Sequence, residues 1–275
     1  MKPILLKSIG KFLNLVSLFS PKLSGKMAIK LFSTPQKGKL KNQEPTLIKE
    51  SKKRIIKYDT ISIMTYQWEG ENDTVLLAHG WESNSYRWKH LITFLKDLNY
   101  NVIALDAPAH GNSSGQVFNA LLFSECIHVV AKTYQPKTII GHSVGGMASV
   151  FCQYKYQLPC VKKMILLGAP SNFVGVFDRY SKMMQYNTVV INAMNNYVLE
   201  KFNHLPEYFS AAKFSEEIHS KGLIIHDKED SIIPYSDALD YKKHFSNAKL
   251  ISTTGLGHGL KSEKIYNSIL EFLNA

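Results

Sequence analysis

From about residue 74 to the end, short apolar runs alternate with longer amphipathic stretches. The runs are TVLLAH at 74–79, NVIALD at 101–106, KTIIGH at 137–142, KMILLG at 163–168, GLIIHD at 222–227 and a last run at 248–253. The first carries no polar alternation and ends in a turn, which suits a strand buried on both faces. Between the runs, residues 86–98, 118–134, 144–157, 235–246 and 261–273 read as helices. Strand and helix in alternation predict a mostly parallel sheet with helices on both faces, with ligand sites at the carboxyl ends of its strands. Residues 52–58 and 60–68 are β-type runs that predict a leading hairpin or meander. Residues 171–220 break the alternation with a helical stretch rich in Phe, Tyr, Met and Asn. Residues 33–50 read as a polar connector.

The N-terminus has a pattern of its own. In residues 4–19, Leu5, Ile9, Phe12, Leu13 and Val16 recur at helical spacing, with Lys7, Lys11 and Asn14 on the other side. Three readings stay open: a helix packed on the domain, a helix on a membrane surface, and a targeting segment. Lys7 and Lys11 interrupt the stretch, and it is too short to span a bilayer. The expected division is therefore an arm at 1–51 and a domain at 52–275, with the helical insertion at 171–220.

Charge sharpens that division. The 275 residues carry a formal +11. Residues 1–57 hold fourteen Lys and Arg against two Asp and Glu, a net +12, and the remainder hold nineteen against twenty, a net −1. The basicity belongs to the arm. No aromatic residues interleave on a basic face and no nucleic-acid motif appears, so no nucleic-acid partner is expected. Three cysteines, Cys126, Cys152 and Cys160, form no C-x-x-C pair and read as reduced thiols. The expected location is cytoplasmic, with peripheral membrane contact through residues 4–19 and the basic arm left open.

Candidate chemistry centres on Gly141-His142-Ser143-Val144-Gly145. It matches G-x-S-x-G between a predicted strand and a predicted helix, a sharp turn that thrusts the serine clear of the sheet. Ser143 is the expected nucleophile, and the Val144 N–H at the helix N-terminus an expected oxyanion donor. A serine needs a base, and His258 lies in Gly255-Leu-Gly-His-Gly259 after the last strand. An acid should orient it. Asp227, Glu229 and Asp230 crowd the end of the 222–227 strand, and Asp230 is the favoured one, with Asp227 and Asp178 as alternatives. A second oxyanion donor is expected at the Trp81 N–H in the His79-Gly80-Trp81 turn. The Trp81 ring either lines a pocket or is buried core.

These segments together resemble the α/β-hydrolase superfamily of serine esterases and related enzymes. The matching pieces are LLAHGW at 76–81, LDAPAHGNS at 105–113, GHSVGG at 141–146, HDKEDSIIP at 226–234 and GLGHG at 255–259, spread over residues 52–275. The resemblance implies a doubly wound α/β-hydrolase sheet, a Ser-Asp-His triad, a two-amide oxyanion hole and a variable helical cap. It implies a cofactor-independent enzyme without a metal, acting on a small-molecule carboxylic ester or thioester. A membrane-associated lipase or lysophospholipase and a non-catalytic binding protein on the same fold are the alternatives. Two details depart from or sit outside that chemistry. Asp227 stands where the family often has glycine, and Asp106 and His110 are expected to stabilise a loop.

Overall fold

The computed structural model describes residues 3–39 and 44–275, with the side chains of Pro3 and Ile4 left aside. Two helices open the chain, α1 (Pro3–Phe19) and α2 (Pro21–Ser33), and one helical turn, α3 (Thr46–Lys49), leads into the sheet. Then come β1 (Lys52–Tyr58), β2 (Ile61–Trp68), β3 (Asn72–Ala78), α4 (Lys89–Asp97), β4 (Tyr100–Leu105), α5 (Ala120–Tyr134), β5 (Thr138–His142), α6 (Val144–Tyr156) and β6 (Lys163–Leu167). The insertion supplies α7 (Phe173–Met184) and α8 (Thr188–Phe202). The chain closes with α9 (Ala211–Phe214), β7 (Lys221–Asp227), α10 (Tyr235–His244), β8 (Ala248–Thr253) and α11 (Glu263–Asn274).

Two compact units result, and they do not divide at residue 51. One holds the chain up to Thr34 together with Asn172–Ser210, and the other holds Pro35–Ser171 and Ala211–Ala275. The arm's helices go with the insertion, and the connector goes with the sheet. The reason is close approach in the first unit and hydrogen bonding in the second. A Cβ on Gly10 would lie 1.7 Å from the Met184 carbonyl oxygen, and one on Gly25 would lie 2.7 Å from Ala193. Only glycine lets α1 and α2 meet the insertion so closely. In the sheet unit, the Gln36 N–H donates to Glu82 Oε1 at 2.8 Å and the Gly111 N–H to the Gly38 carbonyl at 2.8 Å.

Of the apolar stripe seen in the sequence, only Leu13 is fully buried in the packed face of α1. Gly10, Leu13 and Ser17 are buried, whereas Leu5 and Phe12 stand about half exposed. Asn14, expected on the outer side, accepts from the Asn187 N–H at 2.9 Å and donates to the Gln185 carbonyl at 2.8 Å. It thereby holds the turn between α7 and α8. Asn187 in turn caps α8 by accepting from the Val190 N–H at 2.9 Å.

The eight-stranded sheet runs in the order β1-β2-β4-β3-β5-β6-β7-β8. The pairs β1–β2 and β2–β4 are antiparallel, and all others are parallel. Helices cover both faces, so β5 is wholly buried, β4 and β6 nearly so, and β3 is buried over its last four residues. Strand order reverses between β3 and β5, where successive crossovers leave in opposite directions and open a crevice at the carboxyl ends. Ala78 pairs with Gly141 across that gap. The turns that follow the two strands, His79-Gly80-Trp81 and His142-Ser143, therefore emerge side by side.

Candidate active site

Ser143 sits at the tip of β5 with φ 53° and ψ −130°. A non-glycine residue at positive φ is strained, and the strain persists only where the surroundings over-determine it. Here they do. The Ser143 N–H donates to the Leu167 carbonyl at 2.8 Å, and its own carbonyl accepts from the Gly146 N–H at 2.9 Å. Glycines clear the space. A Cβ on Gly145 would lie 2.4 Å from the carbonyl oxygens of both Ala78 and His79, and one on Gly141 would lie 2.5 Å from Gly146 Cα. Val144 is the first residue of α6, so its N–H has no carbonyl to bond within the helix.

The His79-Gly80-Trp81 turn approaches from β3. A Cβ on Gly80 would sit 2.9 Å from Ser143 Cβ and 3.1 Å from His142 Nδ1. His79, fully buried, accepts from the Ala107 N–H through Nε2 at 2.9 Å. Its proton is thereby assigned to Nδ1, which donates to the Gly80 carbonyl at 2.7 Å. In a trans peptide the C=O and the next N–H point opposite ways, so tying back the Gly80 carbonyl aims the Trp81 N–H away from His79. His110 repeats the device one peptide on. Its Nε2 accepts from the Glu82 N–H at 3.0 Å, and Nδ1 donates to the Pro108 carbonyl at 2.9 Å. Burial lowers both imidazoles to about 4, aided at His110 by neighbouring His79. The Trp81 ring is 37% exposed and stands edge-on to His110 with a centroid separation of 5.5 Å. It is not a core tryptophan.

β7 and β8 deliver the remaining groups. His258 Nδ1 donates to Asp230 Oδ2 at 2.7 Å. The other Asp230 oxygen accepts from the Ile232 and Ile233 N–H groups at 2.8 and 2.9 Å. Burial raises the Asp230 pKa, but hydrogen bonds from His226, His258 and those two amides outweigh it and hold the carboxyl well below the usual range. Gly168, at φ 55°, follows β6, and a Cβ there would lie 3.4 Å from both Asp230 Oδ2 and His258 Nδ1. Its predecessor Leu167 is the residue that receives the Ser143 N–H. The acid–imidazole pair thus lies over the strand end next to Ser143.

Two residues bind this assembly together in ways that the sequence did not signal. His142 Nε2 donates to the His258 carbonyl at 2.8 Å, and the two rings lie 4.8 Å apart. The residue before the serine therefore anchors the loop that carries the imidazole. Burial, then the charges of Arg87 and His258, push His142 well below its usual pKa. Asp227 does not touch His258. Its carboxylate accepts from Thr253 Oγ1 at 2.7 Å, the Leu256 N–H at 3.0 Å and the Glu229 N–H at 3.0 Å. It ties the acid loop to the imidazole loop, which is the work its place in the glycine position had obscured. Asp178 lies in the insertion, on α7.

Asp106, fully buried, receives Ser85, Tyr66 and the Asn112 N–H, at 2.7 to 2.8 Å. It organises its loop as expected. Among the described residues, no group of three His, Cys, Asp or Glu is placed to hold a metal ion. A cavity of about 290 Å³ lies at the opposite, amino ends of the strands, lined by Asp73, Tyr100, Thr138 and lysines. It shares no residue with the cluster described above.

A mostly parallel sheet with a serine turn at its switch point and an acid–imidazole pair on the neighbouring loops defines an α/β-hydrolase fold. The comparisons agree. The family model described as the alpha/beta hydrolase fold matches residues 73–187. The chain is 32% identical over 88 residues to the (E)-2-((N-methylformamido)methylene)succinate hydrolase of Acinetobacter baylyi, covering 30% of this chain and 32% of that protein. It is 32% identical over 139 residues to human Protein ABHD8, covering 46% of this chain and 31% of that protein. The chain spans about a third of the length of these curated relatives. The solved esterase EaEST from Exiguobacterium antarcticum superposes with a TM-score of 0.64 at 18% identity, over 79% of this chain and 97% of that one. This likeness concerns fold alone. Residues 73–187 are thus similar to the alpha/beta hydrolase fold family, and the chain has that fold.

Proposed function

We propose that the protein is a serine hydrolase that cleaves a carboxylic ester or thioester through an acyl-enzyme on Ser143. The observation that carries this reading is the 2.7 Å bond between His258 Nδ1 and Asp230, beside a serine held at positive φ. With Nδ1 engaged by the carboxylate, Nε2 of His258 is the nitrogen left to act as base. It takes the Ser143 hydroxyl proton as Oγ bonds to the substrate carbonyl carbon. The carbonyl oxygen becomes an oxyanion that accepts from the Val144 and Trp81 N–H groups. The tetrahedral intermediate collapses with loss of the alcohol or thiol, which carries off the proton from His258. Water, deprotonated by His258, then attacks the acyl carbon, and Ser143 leaves with the proton restored.

His79 and His110 serve this scheme by orienting the two peptides that flank Trp81. A preorganised donor needs no rotation when charge develops, which is where such a site gains most of its rate. The three free cysteines, Cys126 and Cys152 of them buried, fit a reducing cytoplasmic setting. The test is labelling by a fluorophosphonate probe. Native protein should be labelled and Ser143→Ala should not. Folded native protein that stays unlabelled would overturn the reading and favour a binding role on the same fold. A panel of p-nitrophenyl esters and acyl thioesters of rising chain length would then identify the acyl group.

A further inference from the structure

The first two helices expose large apolar side chains and carry only positive charge of their own. On α1, Leu5, Phe12, Leu15 and Phe19 are 50%, 53%, 56% and 84% exposed. At about 100° per residue, these four fall within one arc of about 80°. That arc lies roughly 150° around the helix from the buried Gly10, Leu13 and Ser17. Leu18 on the last turn of α1, and Leu23 and Met27 one turn apart on α2, are exposed as well. A helix that packs through Gly10, Leu13 and Ser17 and turns its phenylalanines to solvent has an apolar face that none of the described residues covers.

The charge that these two helices themselves carry has one sign. No Asp or Glu precedes Glu44 in the chain. Lys7 and Lys11 lie at one edge of the α1 arc, and Lys22, Lys26 and Lys30 follow one another at i, i+4 spacing on α2. Lys22 pairs with Glu200 at 3.2 Å, and the other four make no ion pair among the described residues. Two copies of the face would oppose lysine to lysine, which disfavours self-association. No described helix is long and apolar enough to cross a membrane. What suits apolar side chains bordered by lysines is an interface that is apolar beneath and anionic above, with the lysine stems snorkelling toward phosphates.

We propose that the outward face of α1, together with Leu23 and Met27 of α2, docks on an anionic phospholipid surface. The phenylalanines and leucines enter the boundary between headgroups and acyl chains, and each lysine near the surface strengthens binding roughly fivefold. Docking needs no catalysis by Ser143, so its failure and that of the hydrolase reading are separable.

The experiment is cosedimentation of the full chain with phosphatidylcholine vesicles, with and without about 30% phosphatidylserine. The native protein should pellet with the anionic vesicles, less with the neutral ones, and less as salt rises. Phe12→Ser with Phe19→Ser should reduce pelleting at least tenfold. Lys11→Glu with Lys26→Glu should reduce it roughly twenty-five-fold or more, from the fivefold per lysine above. Both pairs are solvent-facing, so circular dichroism and fluorophosphonate labelling should stay as in the native protein. Undiminished pelleting of the phenylalanine pair, or no preference for anionic vesicles, would overturn the assignment. So would a native dimer that fails to pellet and that the phenylalanine pair turns into monomer.

Discussion

Lowering the pH from 8 to 5 should remove about 4 kcal/mol of stability through His79 and His110 alone. Both are buried, and burial lowers each from 6.5 to about 4. Between those values the unfolded chain binds a proton that the folded one refuses. Their neutral forms therefore leave stability intact above pH 6.5, and it drains away as pH falls toward 4. For one such group the loss is about 2 kcal/mol at pH 5. Against a typical total of about 5–15 kcal/mol, the pair is decisive. Asp227 and Asp230 act lower down. Their folded pKa values are depressed, so their contribution is present above about pH 4 and is lost only as pH falls beneath it.

The replacement that isolates the effect is His110→Gln. Glutamine offers one acceptor and one donor, enough to replace the bonds to the Glu82 N–H and the Pro108 carbonyl, and it does not titrate. Urea unfolding followed by tryptophan fluorescence at pH 8, 6.5 and 5 measures both proteins. The native protein should lose about 2 kcal/mol more than the variant between pH 8 and 5. Comparing the two cancels the groups they share, Asp106 included. Equal losses would show that His110 is not a neutral buried group and does not hold the Trp81–Glu82 peptide by accepting from its N–H.

Other outcomes follow from the same geometry. Asp230→Asn should lower kcat by about ten-thousand-fold on any ester that the protein turns over, because an amide no longer holds the His258 tautomer. Its stability at pH 7 should fall as well, seen in urea midpoints. Gly145→Ala, whose Cβ meets two backbone carbonyls at 2.4 Å, should destabilise by about 1–3 kcal/mol and lower the Tm by several degrees. Asp227→Asn leaves an amide NH₂ facing an N–H or hydroxyl donor, and should destabilise by about 1–3 kcal/mol while slowing fluorophosphonate labelling through the His258 loop. Normal labelling with normal stability would show that the tie between the two loops is dispensable.

Much of this was legible locally. The apolar runs became β3 to β8 with ends within about two residues, since a strand buried between helices needs nothing but apolar side chains. The G-x-S-x-G turn was readable because its glycines answer clashes set by the turn itself, such as Gly145 against Ala78 and His79. Helix α2 carried no clear signal. Its buried residues are Ser24, Gly25 and Ala28, small side chains that an apolar count passes over. The tie from His142 to the His258 carbonyl could not be read either, because it joins residues 116 apart.

By itself, then, the sequence determined the alternation of strands and helices and the turn that carries Ser143, both of which depend on neighbours a few residues away. The tertiary structure alone decided three matters. It gave His258 to Asp230 and left Asp227 to tie the loops, because the pairing of Asp227 with Thr253 across β7 and β8 sets which carboxylate can reach. It joined α1 and α2 to the insertion, because Gly10 and Gly25 permit backbone approach that no periodicity records. And it turned Leu5 and Phe12 outward, because helical spacing marks an apolar face without saying what, if anything, will cover it.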